Sequence, residues 1–555
     1  MSQIVSKPSW WGGVSSLGVL IASWVVSPVA AADRLYVTYG SLLELDLPVA
    51  ELEIYAKEGR LSPNLEPYTQ ALTPEQLQQV QKALQVKLEV PSLALASFLK
   101  TSTGQYFLER TSQIVRSKSQ GASPALLGTA LVKAAADPNG LTILTLLRNF
   151  PDPDVQVDVV QGLEIVESVS QLIQRTQKAI AVIQNQAQAT SNPNATMDAA
   201  LLRTWQQPGP FAVQTQTLTL KDRRPERLNL TGNPRNYPVD LYLPQQAQPS
   251  PIIVISHGLG EDRLSFAYFA RHLASHGFGV AVPEHPGSSA KQVMAVLESK
   301  TDRVSAPTEF VDRPLDITYL LNQLEERSQT NPQLRGRLQL DHVGVMGHSY
   351  GGYTALALAG APFNWSQLQQ DCGPTLAQTL NVSLLLQCQV LTLPQRTYAL
   401  RDPRVKAVLA VNPLTSSVFG PTGLQQIQPA VMMVAAGADT ITPALLEQIQ
   451  PFTGLTGPHN YLVLMKAATH FSTIGESETD PRGILADPFV GPSPEVAQDY
   501  LKGLGLAFFR AHVLNQPQAQ ALLNSASVEA WSQPSFAIAL VQRLKAADLA
   551  TRSQR

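Results

Sequence analysis

The stretch Gly344-Val345-Met346-Gly347-His348-Ser349-Tyr350-Gly351-Gly352 sets a serine between glycines directly after an apolar run. A hydroxyl on a sharp strand-to-helix turn can act as a nucleophile if a base takes its proton, and flanking glycines leave room for that turn. The base and its orienting carboxylate should each follow a later strand. Asp439 does so in Gly437-Ala438-Asp439-Thr440, and His470 does so in Ala467-Ala468-Thr469-His470-Phe471. Taken one at a time, Asp439 could cap a helix beginning near Pro443 and His470 could be a loop histidine; in the order Ser, Asp, His they make a catalytic set. His459 precedes its strand and His512 falls within a helical pattern, so neither is a good base, and Asp402 and Asp371 are poorly placed as acids.

Acyl transfer also needs N–H donors where negative charge develops on the carbonyl oxygen. Ser256-His257-Gly258-Leu259-Gly260 follows an apolar strand, so the N–H groups of Leu259 and of Tyr350, directly after the serine, are the expected oxyanion hole. His257 and His285 read as loop supports, and His348 as a residue packed beneath the turn. No metal or cofactor is needed for this chemistry.

These residues must be held by a scaffold. From about residue 210 onward, short apolar strands at 211–220, 238–243, 251–256, 278–283, 342–346, 404–411, 429–436 and 460–465 alternate with helical patterns at 264–275, 314–327, 350–360, 443–450 and 494–512. That alternation predicts an α/β fold, a mostly parallel sheet with helices on both faces and the site at the carboxyl ends of its strands. Residues 33–190 predict a mainly helical N-terminal domain without any histidine. Thr73-Pro74-Glu75-Gln76 signals a capped helix start, and further helices are expected at 91–100, 123–136 and 160–188. The last should carry an apolar face of Val159, Leu163, Val166, Val169, Leu172 and Ile173. Without a nucleophile and base, this domain is expected to pack, cover the site or bind a partner. Residues 191–209 read as a linker, and 210–555 as the catalytic domain.

The chain has 555 residues, 44% of them apolar and 15% charged, with a formal net charge of −2. That balance excludes an electrostatic footprint for nucleic acid. Residues 1–32 run from Lys7 through an apolar stretch to Ala30-Ala31-Ala32, the order of a secretory signal peptide, with an uncleaved anchor as the alternative. No second long apolar run follows, so the expected location is periplasmic or secreted. In such a compartment Cys372 and Cys388 are expected to form a disulfide, against the alternative of two free buried thiols. Both lie in 362–403, where a cap or lid insertion is expected. This insert should form one wall of an apolar pocket, or else be a surface excursion stapled for stability.

The segments IIVISHGLGEDRLSFAYFARHLASHGFGVAVPEHPGSS (252–289) and HVGVMGHSYGGYTAL (342–356) resemble the platelet-activating-factor acetylhydrolase branch of the α/β-hydrolases. The order of signal peptide, helical domain and hydrolase is similar to that of exported cyanobacterial α/β-hydrolases whose N-terminal domain has no assigned role. The resemblance implies the α/β-hydrolase fold and metal-free hydrolysis of carboxylic esters of small or lipid-like alcohols. The acetylhydrolase branch can take its acid from the strand that here runs Val405 to Val411, but this strand ends in Asn412-Pro413, so Asp439 must serve. Amide or polyester cleavage by the same residues, and a non-catalytic envelope binding protein on a hydrolase scaffold, are the alternatives.

Overall fold

A computed structural model describes residues 32–39, 43–70, 73–88, 90, 92–190, 192–373, 376, 379–475 and 491–550. The expected signal segment lies outside them except for Ala32, which is buried in the small N-terminal core. Among the described residues no helix is long and apolar enough to cross a membrane.

The N-terminal region is helical as expected, but it also holds a sheet that its helical patterning hides. Strands β1 (Arg34–Tyr39), β2 (Leu43–Pro48), β3 (Val115–Ser117) and β4 (Asp154–Asp158) form it in the order β2-β1-β4-β3. These strands are only three to six residues long, though the alternating Leu43, Leu45 and Leu47 carry the period-2 signal. The capped start at Thr73 is present: its hydroxyl accepts from Gln76 N–H while the Gln76 side chain accepts from Thr73 N–H.

The larger sheet is built of β5 (Val213–Asp222), β6 (Arg235–Pro244), β7 (Ser250–Ser256), β8 (Gly279–Pro283), β9 (Leu338–His348), β10 (Val405–Val411), β11 (Ala430–Ala436), β12 (Asn460–Met465) and β13 (Ile538–Val541). Its order is β13-β12-β11-β10-β9-β7-β8-β6-β5. The strands from β12 to β8 in that order are parallel, and the edge pairings β13 with β12, β6 with β8 and β5 with β6 are antiparallel. Buried on both faces, the central strands are continuously apolar. Ile252, Val254, Val343 and Val345 point into the core beneath helices Glu309–Thr330 and Tyr350–Ala359. Ile253, Ile255, Met346 and Leu409 point to the opposite core with helices Ala267–Ser275 and Pro494–His512.

Two expectations need correction. The stretch read as a linker contains the helix Ala195–Trp205, whose Ala199 and Leu202 are buried in the catalytic core; the asparagines and proline ahead of it mimic a loop, but they only precede its start. The helix Val159–Gln188 is a single 30-residue element whose Ala179, Ile180, Ile183 and Ala187 pack into the core of the large sheet. A boundary at residue 190 therefore does not separate two independent cores. Of its expected apolar face, Leu172 is half-buried but Ile173 is 54% exposed; the side chains of Val159, Leu163, Val166 and Val169 lie outside the described set.

Pro314 interrupts the helix Glu309–Thr330 and cannot donate to the Phe310 carbonyl one turn back. Tyr353, on the helix that begins after Ser349, donates its hydroxyl to that carbonyl at 2.6 Å. The missing bond thus becomes a tie between two helices that support the serine.

Candidate active site

Ser349 sits at the end of β9 with φ 54° and ψ −115°, a strained conformation for a residue with a side chain. The neighbouring glycines make it possible. A Cβ at 347 would collide with the Gly351 carbonyl, and a Cβ at 351 would collide with the Ser256 carbonyl at the end of β7. The first turn of the helix Tyr350–Ala359 therefore lies directly on the end of the neighbouring strand. Ser349 N–H donates to Val411 O at 2.8 Å, fixing the turn to β10.

The structure brings Asp439 and His470 together. Asp439 Oδ2 lies 2.7 Å from His470 Nδ1 and accepts from the Thr442 hydroxyl, while Oδ1 accepts from Ile441 and Thr442 N–H, both at 2.8 Å. A carboxylate with those donors holds the histidine proton on Nδ1 and leaves Nε2 with a lone pair. His470 is further fixed through its carbonyl, which accepts from His348 and from Asn412 Nδ2. Its ring lies 4.8 Å from that of His348, the residue preceding the serine. No hydrogen bond joins Ser349 Oγ to His470 Nε2 among the described residues.

Leu259 and Tyr350 N–H, the expected oxyanion hole, have no acceptor among the described residues. Glu261 organises this side: Oε2 accepts from Gly258 N–H at 2.7 Å and Oε1 lies 2.6 Å from His348 Nδ1. With Glu261 ionised, both nitrogens of His348 face acceptors, an arrangement that suits the imidazolium. Burial opposes that charge, yet the Glu261 carboxylate holds the His348 pKa above its usual value. Burial likewise works against the Glu261 charge, and His348 outweighs it, keeping the carboxyl below its usual range.

His257 and His285 are supports, as their positions imply. His257 accepts from His285 N–H through Nε2 and faces Gly258 O through Nδ1; burial, then Arg313, keeps it neutral. Arg313 donates to the His257 carbonyl and to Ser288, and lies over the Tyr350 ring. Beneath it, fully buried Arg227 joins Asp222, Asp312 and Asp316, and Arg235 joins Glu309 and Asp316. Burial pushes Asp312 up to about 6 despite these cations.

The insert 362–403 carries the Cys372–Cys388 disulfide, with Cα atoms 5.6 Å apart. The residues beside the two cysteines grip one segment: Asp371 accepts from the Ser417 hydroxyl, and Gln387 Oε1 accepts from Ser417 and Val418 N–H. Buried Glu447 is the hub. It accepts from Asn381, Ser383 and Gln387 of the insert and from Thr415 and Ser416 N–H of the loop after β10. Sequence reasoning missed Glu447, Glu261, Arg313 and Asn412, because their partners come from segments far apart in the chain. The expected apolar pocket is also corrected. The insert walls a cleft of about 850 Å³, but Arg175, Lys178, Gln367, Asp371 and Ser416 line it and none of Ser349, Asp439 or His470 does. Leu384 of the insert lines it too, with Leu445, Leu446 and Pro451, so the lining is mixed rather than apolar.

With this geometry in hand, similarity to known proteins can be placed on it. A family model described as an alpha/beta hydrolase of unknown function matches residues 31–158, and one for platelet-activating factor acetylhydrolase, isoform II, matches 240–328. The second covers the Leu259 loop; neither covers Ser349, Asp439 or His470. The platelet-activating factor acetylhydrolase of Canis lupus familiaris is 30% identical over 137 residues, 19% of this chain and 31% of that protein. That of Bos taurus is 28% identical over 137 residues, with the same shares. The chain thus spans about a third of the length of these relatives. The mostly parallel sheet and these matches give the chain the α/β-hydrolase fold. Within that class the chain is similar to the platelet-activating factor acetylhydrolases.

Proposed function

We propose that this chain is an exported hydrolase of carboxylic esters, small or lipid-like, acting through Ser349, His470 and Asp439. His470 Nε2 takes the Ser349 proton as Oγ attacks the ester carbonyl carbon, and the resulting oxyanion is held by Leu259 and Tyr350 N–H. Collapse breaks the ester C–O bond, His470 returns the proton to the leaving alkoxide, and an acyl-enzyme remains. Water then attacks that carbonyl with His470 again as base, releasing the acid. The hydroxyl–imidazole hydrogen bond absent here is one that catalytic sites commonly tighten only with substrate in place.

The observation that carries this reading is the Asp439–His470 pair at 2.7 Å, with the His470 ring 4.8 Å from that of His348, the residue before a serine of positive φ. Export is supported by the character of residues 1–32 and by the disulfide. A fluorophosphonate probe should label the wild type and not Ser349→Ala. An unlabelled wild type would instead favour a binding protein on a hydrolase scaffold. Nitrophenyl esters set against matching anilides separate ester from amide cleavage, and faster ester turnover is expected.

A further inference from the structure

Ser349 lies between walls and is largely covered. Ser349 is 7% exposed, and the clefts of about 850, 400 and 710 Å³ are lined by other residues. What covers it follows from the sheet order. Ser349 follows β9, with β7 and β8 on one side and β10 on the other. The helix Ala290–Leu297, after β8, rises from the oxyanion loop: Ala290 N–H donates to Glu261 O, and Val293 lies against Gly260. The insert and the loop after β10 form the opposite wall, joined by Glu447.

Two consecutive helices of the N-terminal region, Ser92–Lys100 and Ser102–Ile114, touch both walls. On the β8 side, buried Ser97 donates to Leu297 O at 2.9 Å and lies 3.2 Å from the Ser299 hydroxyl. On the insert side, Tyr106 OH donates to Leu376 O at 2.6 Å and Arg110 donates to Thr379 O. Anchored on the β8 flank and on the β10 flank, the helix pair links the walls that stand on either side of the strand carrying the serine.

We propose that these two helices form the roof of the substrate site and limit the acyl chain that Ser349 accepts, giving the N-terminal region a part in specificity. The roof rests on the hydrolase reading above. It contributes no residue to the proton-transfer chain, so loosening it should alter substrate size and leave the chemistry intact.

The test uses the full chain with nitrophenyl acetate and nitrophenyl octanoate. Tyr106→Phe with Arg110→Ala removes the insert-side support, and Ser97→Ala removes the other. The octanoate-to-acetate ratio of kcat/KM should rise by about fivefold or more in the double variant, with kcat on acetate kept within about twofold. Ser97→Ala should move the ratio the same way by less, and it suffices if the double variant does not fold. Arg34→Ala, a surface change in the same region, should leave the ratio alone. An unchanged or falling ratio in folded variants that still take the fluorophosphonate probe overturns the roof. A wild type that neither hydrolyses acetate nor takes the probe fails earlier, at the hydrolase reading itself.

Discussion

The two sheets of this molecule use charge in opposite ways. Around the four-stranded sheet, ion pairs stand half in water: Arg148–Glu53 at 39% and 37% side-chain exposure, Lys118–Glu44 at 34% and 43%. Under the nine-stranded sheet, Arg227 is fully buried among three aspartates, and a His348–Glu261 pair lies below the serine. Desolvated charge is costly unless every partner is in place. Buried ion pairs collect here around Gly258, His257 and Ser288, whereas Asp152, the buried carboxylate beside the small sheet, is met by the hydroxyls of Ser117 and Ser119. Buried ion pairs therefore mark the part of the molecule that has to be rigid.

The contrast can be broken at several points, the most consequential being the chemistry. His470→Ala should lower kcat on an activated ester by roughly 10⁴-fold, with Asp439→Asn close behind, while Arg148→Ala leaves it unchanged. Next in size, Arg227→Leu removes the ion-pair partner of buried Asp312, while Asp222 keeps Arg224 and Asp316 keeps Arg235, and should cost about 3–5 kcal/mol in urea unfolding. Reducing the Cys372–Cys388 bridge, which closes a 16-residue separation, should remove roughly 3 kcal/mol. A smaller effect concerns His272, whose pKa is drawn down to about 3 by burial and by neighbouring His276. Its unfolded form binds a proton first, so its contribution is present above pH ~6.5 and is lost as pH falls toward 3. His272→Gln should flatten the acid limb of a stability-against-pH curve. Least of all, Arg148→Ala should cost below about 1 kcal/mol. A large loss there would erase the difference between the two sheets.

The same contrast governs what the sequence reveals. Eight strands of the large sheet are legible as apolar runs, because buried parallel strands need unbroken apolar side chains. Ile538–Val541 is only four residues at the far end of the chain and escapes. Ser349, Asp439 and His470 are legible because each follows a strand in chain order. Glu447 and Arg313 are not, since nothing local distinguishes a hub carboxylate from a solvated one; only the fold gathers Asn381, Thr415 and Ser416 around it. In the N-terminal region, short strands among long helices are outvoted by the helical period. Asn192-Pro193-Asn194 likewise disguises the docked helix that follows as a linker.

The backbone at Ser349 has one further consequence. A dihedral pair of 54° and −115° suits glycine, so every other residue there keeps the chain about 1–3 kcal/mol above its relaxed state. Ser349→Gly should therefore melt at a higher temperature than the wild type, and Ser349→Ala should not. Selection for thermal tolerance alone would favour losing the hydroxyl, and its retention would be a sign of use.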